Sequence, residues 1–140
     1  MRKHLGSISN NANTYHLFPQ ALLKSAGIRE RDVFKALNCA LITWRTNRNI
    51  SSKEPVEYLK ERVKAGKLGE KELKARLRSH LVPFEELAVG GYDSLAGNER
   101  TATIERDYNK FLRRRAKVVR AAIEQVCAGH HLDLRDAFEQ

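Results

Sequence analysis

The longest regular pattern in the chain is a run of apolar residues near the C-terminal end, recurring every three or four positions. This spacing places apolar side chains on one face of an α-helix. It predicts a helix over about residues 100–127, with Gly129 just beyond its end. The apolar positions of this helix are Ile104, Tyr108, Phe111, Leu112, Ala116, Val119, Ile123 and Val126.

Two shorter runs in the N-terminal third have the composition of β-strands. The first covers residues 14–18 and is stopped by Pro19, and the second covers residues 39–44. Brief helices are predicted between them, over residues 20–25 and 29–37. The two strands are therefore predicted to pair as a hairpin with a long insertion. The apolar side of the second brief helix is predicted to contain Val33, Phe34 and Leu37.

The middle of the chain alternates helical patterns with breaks. Pro55 stands where the first turn of a helix tolerates proline, and Gly66 ends that helix. Residues 70–80 are predicted to be helical, residues 83–87 form a short turn or helix, and residues 90–97 form a loop.

The fold class that these elements predict is α+β, with helix dominant. At 140 residues the chain is expected to form one domain. We divide it into a core motif at residues 13–60, a helical remainder at 61–128 and a tail at 129–140.

The net charge and the positions of the cysteines restrict the classes of function that the chain is expected to have. Lysine and arginine number 26 against 17 acidic residues, a net charge of +9, which favours a polyanionic partner, most often nucleic acid. Cys39 and Cys127 are isolated from each other, which argues against cysteine-bound zinc and favours reduced thiols in cytoplasm. The first residues contain no apolar stretch typical of a signal peptide, and no run approaches the length of a membrane helix.

Three polar residues at fixed spacing suggest chemistry. His16 ends the first predicted strand, and a histidine that titrates near neutrality can accept a proton from water. Asn38 and Asn47 offer amide oxygens that can orient an imidazole or bind a hard cation. Taken singly, each of these residues is more often an ordinary strand-end or turn residue. Their combination is what points to phosphodiester hydrolysis, which needs an activated water, a cation and basic groups.

The ordered set resembles the motifs of HNH endonucleases, and among these the C-terminal HNH domain of GmrSD-type, modification-dependent restriction proteins. The resemblance extends over roughly residues 10–128, including the segments 79–83 and 108–116. It implies a ββα-metal hairpin unit and a DNA-cleaving, restriction-type function in phage defence. The residues that match the core motif are Tyr15-His16-Leu17-Phe18-Pro19, Asn38-Cys39-Ala40-Leu41 and Asn47-Arg48-Asn49-Ile50.

The resemblance also implies roles for individual residues. His16 would be the general base, and Asn38 would support the histidine and the loop geometry. Asn47 would be a ligand of a catalytic divalent cation, Mg²⁺ or Mn²⁺, and Arg48 would contact phosphate. In the resembled proteins an NTPase-like, ParB-related domain precedes the HNH domain. This chain lacks that domain and is therefore expected to be an excised domain or a stand-alone remnant.

Tyr15 departs from the motif, because the resembled family has Asp, Glu or His at this position as a metal ligand. A neutral phenol is a poor ligand for a hard cation. Three interpretations follow. Asn13 or His4 supplies the missing ligand; the site binds metal weakly and cuts slowly; or catalysis is lost and the fold is kept for DNA binding.

Two basic segments, residues 60–78 and 99–120, favour contact with a phosphate backbone when they flank such a unit, although each alone is typical of a solvated helix face. Arg115 shares the apolar stripe of its helix and is expected to be partly buried. A helical protein-interaction module with incidental charge is the further alternative to a nuclease or a DNA-binding remnant. The predicted DNA-binding residues are Arg48, Lys71, Lys74, Arg78, Lys110, Arg113, Arg114 and Lys117.

Overall fold

The computed structural model describes residues 13–42, 53–66 and 69–140, and within the strands it describes side chains from His16 to Ala40. The described part is helix-dominant, as the sequence predicts. Asn47, Arg48 and His4 lie outside the described residues, as does the end of the second predicted strand.

Within residues 13–42 the structure contains a pair of antiparallel strands. Strand β1 covers Asn13–His16 and strand β2 covers Cys39–Ile42. Tyr15 lies opposite Ala40, and His16 lies opposite Cys39. The pairing that the sequence predicts between these two runs is thus present, with the register that places His16 at the end of the ladder.

The insertion between the strands is folded as short helices. Helix α1 covers Gln20–Ser25 and helix α2 covers Glu30–Val33, followed by a 3-10 turn at Ala36–Asn38. The predicted single helix over residues 29–37 is therefore wrong, because the chain leaves the helical conformation at Phe34 and Lys35.

The rest of the described chain is helical. Helix α3 covers Pro55–Ala65, α4 covers Gly69–Ser79, α5 covers Phe84–Leu87, and a 3-10 turn lies at Tyr92–Ser94. Pro55 is the first residue of α3, where its missing N–H costs nothing.

Helix α6, at Gly97–Cys127, is the long helix that the apolar period predicts. Gly129 follows it with φ 78°, a left-handed conformation that glycine adopts without a Cβ clash. The N–H of His130 donates to the carbonyl of Gln125 at 3.0 Å, and that of Gly129 to Val126 at 3.0 Å. These two bonds satisfy carbonyls that the end of the helix would otherwise leave open.

The segment 129–140, which the sequence analysis sets apart as a tail, includes a helix. Helix α7 covers Leu134–Glu139, and the Asp133 carboxylate caps it by accepting the N–H of Arg135 at 2.7 Å. Ala137 is fully buried against the C-terminal part of α6. This segment is therefore packed on the molecule.

The main core lies where the strand-end loop, α1, α3 and the first half of α6 meet. Phe18 is fully buried, with its ring 5.3 Å from the rings of both Tyr108 and Phe111. Burying an aromatic side chain of this size contributes roughly 1.5–3 kcal/mol. The residue two positions after His16 is thus fixed in the core.

Candidate functional site

The loop that follows β1 is held by the side chain of Asn38. The backbone N–H of Phe18 donates to Asn38 Oδ1 at 2.8 Å, and Asn38 Nδ2 donates to the carbonyls of Phe18 at 3.2 Å and Val33 at 3.1 Å. Asn38 is fully buried, and both N–H groups of its amide are used. The amide therefore fixes backbone, tying the residues after His16 to the end of α2.

A second support for the same loop comes from α3. The Tyr58 hydroxyl donates to the carbonyl of Leu17 at 2.6 Å. The backbone N–H of Leu17 donates to the Asn38 carbonyl at 2.7 Å, which extends the strand pairing by one residue. The loop that begins at His16 is thus constrained from both sides.

The start of α3 is itself anchored by Glu54. Its carboxylate accepts the N–H groups of Gly91 at 2.6 Å, Tyr92 at 2.8 Å and Asp93 at 3.3 Å. A Cβ at Gly90 would collide with the side chains of Val56 and Glu54, so glycine is required for this close approach.

His16 is half-buried at the end of β1, with its ring edge-on to Phe34 at 4.8 Å between centroids. Its Nε2 is buried and has no hydrogen-bond partner in the described part of the chain. Burial lowers the pKa of His16 below 6.5, because it penalises the charged imidazolium. A neutral imidazole is the form that can accept a proton at pH 7.

Arg115 joins the long helix to the strand pair. It is 8% exposed, and its guanidinium donates to the carbonyls of Leu37 at 2.6 Å, Cys39 at 3.0 Å and Leu81 at 3.2 Å. The expectation that Arg115 is partly buried is confirmed. Of these three partners, Cys39 begins β2 opposite His16, Leu37 lies in the 3-10 turn before β2, and Leu81 follows α4, so Arg115 holds the start of β2 and the end of α4 close to α6.

Several of the predicted DNA-binding cations are engaged within the molecule. Lys74 pairs with Glu70 at 3.0 Å and Glu85 at 3.4 Å. Arg78 donates to the carbonyl of Leu134 at 3.3 Å and lies over the Phe138 ring. The same end of the molecule holds Arg114, which donates to the carbonyls of Phe138 and Gln140.

Lys71, Lys110, Arg113 and Lys117 are exposed. The last three lie on α6, but not on the side that faces the strand pair. Residues two positions apart on a helix are separated by about 200°, so Arg113 and Lys117 lie opposite Arg115, whose guanidinium contacts β2. The structure therefore does not bring these cations together with His16.

The insertion between the strands brings Phe34 into contact with His16, and neither Phe34 nor the charged cluster beside it in the chain was predicted to belong to the site. Phe34 contacts the imidazole and is 51% exposed. Next to it, the Asp32 carboxylate is within 3.5 Å of Lys35 and 3.3 Å of Arg29, and 3.9 Å from Arg31. In the sequence these residues lie between the two runs predicted to pair as strands. Because pairing brings the ends of the insertion together, that position indicates that the insertion lies near the strand ends.

The metal site that the resemblance implies depends on residues beyond those described. Asn47 is one of them, and for Tyr15 the structure gives the backbone position in β1. Within residues 13–42, 53–66 and 69–140, no three His, Cys, Asp or Glu side chains form a group suited to a metal ion. None of the helices in that part of the chain combines the length and apolar character needed to span a membrane.

Comparison with known proteins finds a relative in an archaeon. The uncharacterized protein MJ0686 of Methanocaldococcus jannaschii is 32% identical over 114 residues, which cover 75% of this chain and 19% of that protein. The chain thus spans about a fifth of the length of this relative. No family model matches the chain, and no solved structure matches it.

Proposed function

We propose that the chain is an HNH-type, metal-dependent endonuclease domain that hydrolyses DNA phosphodiester bonds. One observation carries this proposal. At the end of a two-stranded antiparallel pair, His16 has a buried Nε2 without a described partner, on a loop that buried Asn38 fixes. A neutral imidazole can act as a general base, and the proposal requires that Nε2 become open to a water molecule when DNA is bound.

The proposed reaction needs one proton transfer to His16. The imidazole takes a proton from a water molecule, the water oxygen bonds to phosphorus, the bond from phosphorus to the leaving sugar oxygen breaks, and that oxygen takes a proton from solvent. The depressed pKa of His16 keeps the base unprotonated at neutral pH. Asn38 and Tyr58 act as positioning residues, since they contact the loop backbone beside His16 and not the reacting atoms.

A divalent cation, Mg²⁺ or Mn²⁺, belongs to the proposal through the resemblance, with Asn47 as its ligand. The described residues form no acidic or histidine cluster to hold such an ion.

Phosphate contacts near the reacting centre are proposed for the α2 end of the insertion. Arg31 and Lys35 are neighbours in the chain of Phe34, whose ring lies against His16. Both side chains are exposed, at 71% and 48%, and share the Asp32 carboxylate. Exposed pairs of this kind contribute about 0–1 kcal/mol, so a phosphate can displace the carboxylate at low cost.

A plasmid-nicking assay tests the catalytic assignment. Supercoiled plasmid is incubated with Mg²⁺ or Mn²⁺ and with the wild type, His16→Ala or His80→Ala. His80 is the matched control, because it is exposed and follows the end of α4. We expect His16→Ala to lose at least about 100-fold in nicking rate, the usual contribution of a general base, while His80→Ala cuts like the wild type. Equal cleavage by the wild type and His16→Ala would sink the assignment.

A second candidate function is DNA binding without cleavage, favoured by the residue beside the histidine. Tyr15 occupies the β1 position, opposite Ala40, where the resemblance implies a metal ligand. On this hypothesis the wild type retards DNA but does not nick it, and Tyr15→Asp, which restores a carboxylate, gains nicking activity. Cleavage by the wild type contradicts this second candidate.

A further inference from the structure

The solvent face of α6 presents a row of five cations at alternating spacings of four and three residues. At 3.6 residues per turn this spacing places all five on one face of the helix. We call this row the outer basic stripe. Its members are Arg106, Lys110, Arg113, Lys117 and Arg120.

The central part of the outer basic stripe is uncompensated. Lys110, Arg113 and Lys117 are exposed, and none of them makes an ion pair or hydrogen bond with a residue that the structure describes. The two ends are paired: Arg106 contacts the neighbouring Asp107 at 3.0 Å, and Arg120 contacts Glu124 at 2.8 Å. The Arg120–Glu124 pair is exposed and contributes about 0–1 kcal/mol, so Arg120 can meet an external anion. Asp107 is 13% exposed, so Arg106 is partly compensated, although its own side chain remains 71% exposed.

Several cations of helix α4, in contrast, have partners within the molecule. Lys74 lies between two carboxylates and over the Phe84 ring, and Arg76 pairs with Glu72 at 3.0 Å. Arg78 contacts the carbonyl of Leu134. In α4, Lys71 is exposed and makes no ion pair with a described residue, whereas the outer basic stripe holds three such cations in a row.

The outer basic stripe and the candidate catalytic histidine lie on different sides of α6. Arg115 points to the strand pair, where it donates to Cys39, the partner of His16 in the ladder. Arg113 and Lys117 are each about 200° around the helix from Arg115. A phosphate group bound to them therefore cannot also be the group attacked at His16.

We propose that the outer basic stripe is a second docking surface, which binds the phosphate backbone of duplex DNA on the side of α6 away from His16. This inference rests on the proposed function for the identity of the polyanion. The stripe extends over ~21 Å at 1.5 Å per residue, the length of about six base pairs at 3.4 Å. Its charges thus match a stretch of one backbone, and the base edges play no part, so binding is independent of sequence.

The consequence concerns which DNA the domain binds well. A duplex held on the stripe must bend around α6, or a second duplex must be present, for another segment to reach His16. Affinity is therefore expected to increase with DNA length, beyond the few base pairs that either surface contacts alone.

Charge neutralisation tests the stripe. The double variant Arg113→Gln/Lys117→Gln is compared with the matched control Lys24→Gln/Arg135→Gln, which removes two exposed cations that lie outside both basic segments. Glutamine keeps the side-chain length and a similar helix propensity. Binding to a fluorescein-labelled 40-base-pair duplex is measured by anisotropy at several salt concentrations.

We expect the stripe variant to bind about tenfold more weakly at low salt. We also expect its plot of log affinity against log salt to be less steep than that of the wild type, by about two in slope. The control should keep the wild-type slope within about one half. Equal losses in both variants, or no loss in either, would overturn the inference, as would equal stripe-dependent binding to phosphatidylserine vesicles.

The outcomes also separate this inference from the proposed function. Stripe-dependent binding without nicking by the wild type supports the docking surface and contradicts the nuclease. Nicking by the wild type with unchanged binding in Arg113→Gln/Lys117→Gln supports the nuclease and contradicts the docking surface. A wild type that neither binds duplex DNA at low salt nor nicks it contradicts both.

Discussion

The protonation of His16 is linked to the free energy of unfolding. Its pKa in the folded protein is lowered by burial, from the ordinary value of 6.5. As the pH falls below 6.5, the imidazole becomes protonated in the unfolded chain while it remains largely neutral in the folded chain. The free energy of unfolding therefore contains a part that is present at neutral pH and is lost as pH falls through 6.5.

A pH series of urea denaturation measures this contribution. We expect the unfolding free energy of the wild type to decrease between pH 7 and pH 5, and His16→Gln to show a smaller decrease, because glutamine does not titrate. His80→Gln, at an exposed position, should retain the wild-type pH dependence. A His16→Gln profile parallel to that of the wild type would show that His16 is not desolvated in solution.

The residue types of the candidate site were predictable, but their partners were not. The spacing of His16 and Asn38 is visible in the sequence, and the strand ladder follows from it. The three hydrogen bonds of the Asn38 amide reach residues 20 and 5 positions away, which no local pattern encodes. Phe34 was predicted to lie on a buried side with Val33 and Leu37. Because the helix ends at Val33, the Phe34 ring instead projects beside His16 with half of its surface exposed.

At the scale of elements, the apolar period predicted the long helix α6. It did not predict the short helix α7, which depends on contacts with residues distant in the sequence. Helix α6 has a pattern of several turns, and its predicted extent of residues 100–127 agrees with Gly97–Cys127. Helix α7 has one turn and a half, and it is held by contacts with α6: Gln125 exchanges two hydrogen bonds with the Asp133 backbone, at 3.1 and 2.7 Å. Sequence alone gave no reason to expect that a short C-terminal segment would pack there.

Arg115 is the contact on which the position of β2 relative to α6 depends. Replacing it with methionine, of similar length but without donors, leaves the carbonyls of Leu37, Cys39 and Leu81 without this partner. An unsatisfied buried polar group costs about 1–3 kcal/mol, and partial rehydration reduces the total. We expect Arg115→Met to lower the free energy of unfolding by about 2–4 kcal/mol in urea denaturation.

The matched control is Arg113→Met on the same helix, at an exposed position. Its unfolding free energy should change by no more than about 0.5 kcal/mol. Amide hydrogen exchange adds a local measurement, since residues 39–42 should lose protection in Arg115→Met before the rest of α6 does. Equal stability of the two variants would contradict the role given to Arg115.

At the scale of the whole molecule, α6 connects two cores of unequal size. The larger contains the loop after β1 and residues from α1, α3 and α5, together with Ile104, Tyr108 and Phe111 of α6. The smaller contains Val118, Ala121, Ala122 and Ala137, with Leu81 and Phe138 packed against them. Alanine buries little apolar area, so the second core contributes much less to stability than the first.

This inequality predicts that α7 opens without unfolding the rest. In native-state hydrogen exchange we expect peptides from residues 131–140 to be protected by at least about 2 kcal/mol less than peptides from residues 104–112. The reason is that local opening of α7 disrupts only the smaller core. Ala137→Asp, which places a charge where a fully buried methyl group packs, should remove the protection of α7. The same variant should leave protection around Phe18 and Tyr108 unchanged, because these residues belong to the larger core. Uniform protection along α6 and α7, or global unfolding in Ala137→Asp, would show instead that the two cores form one cooperative unit.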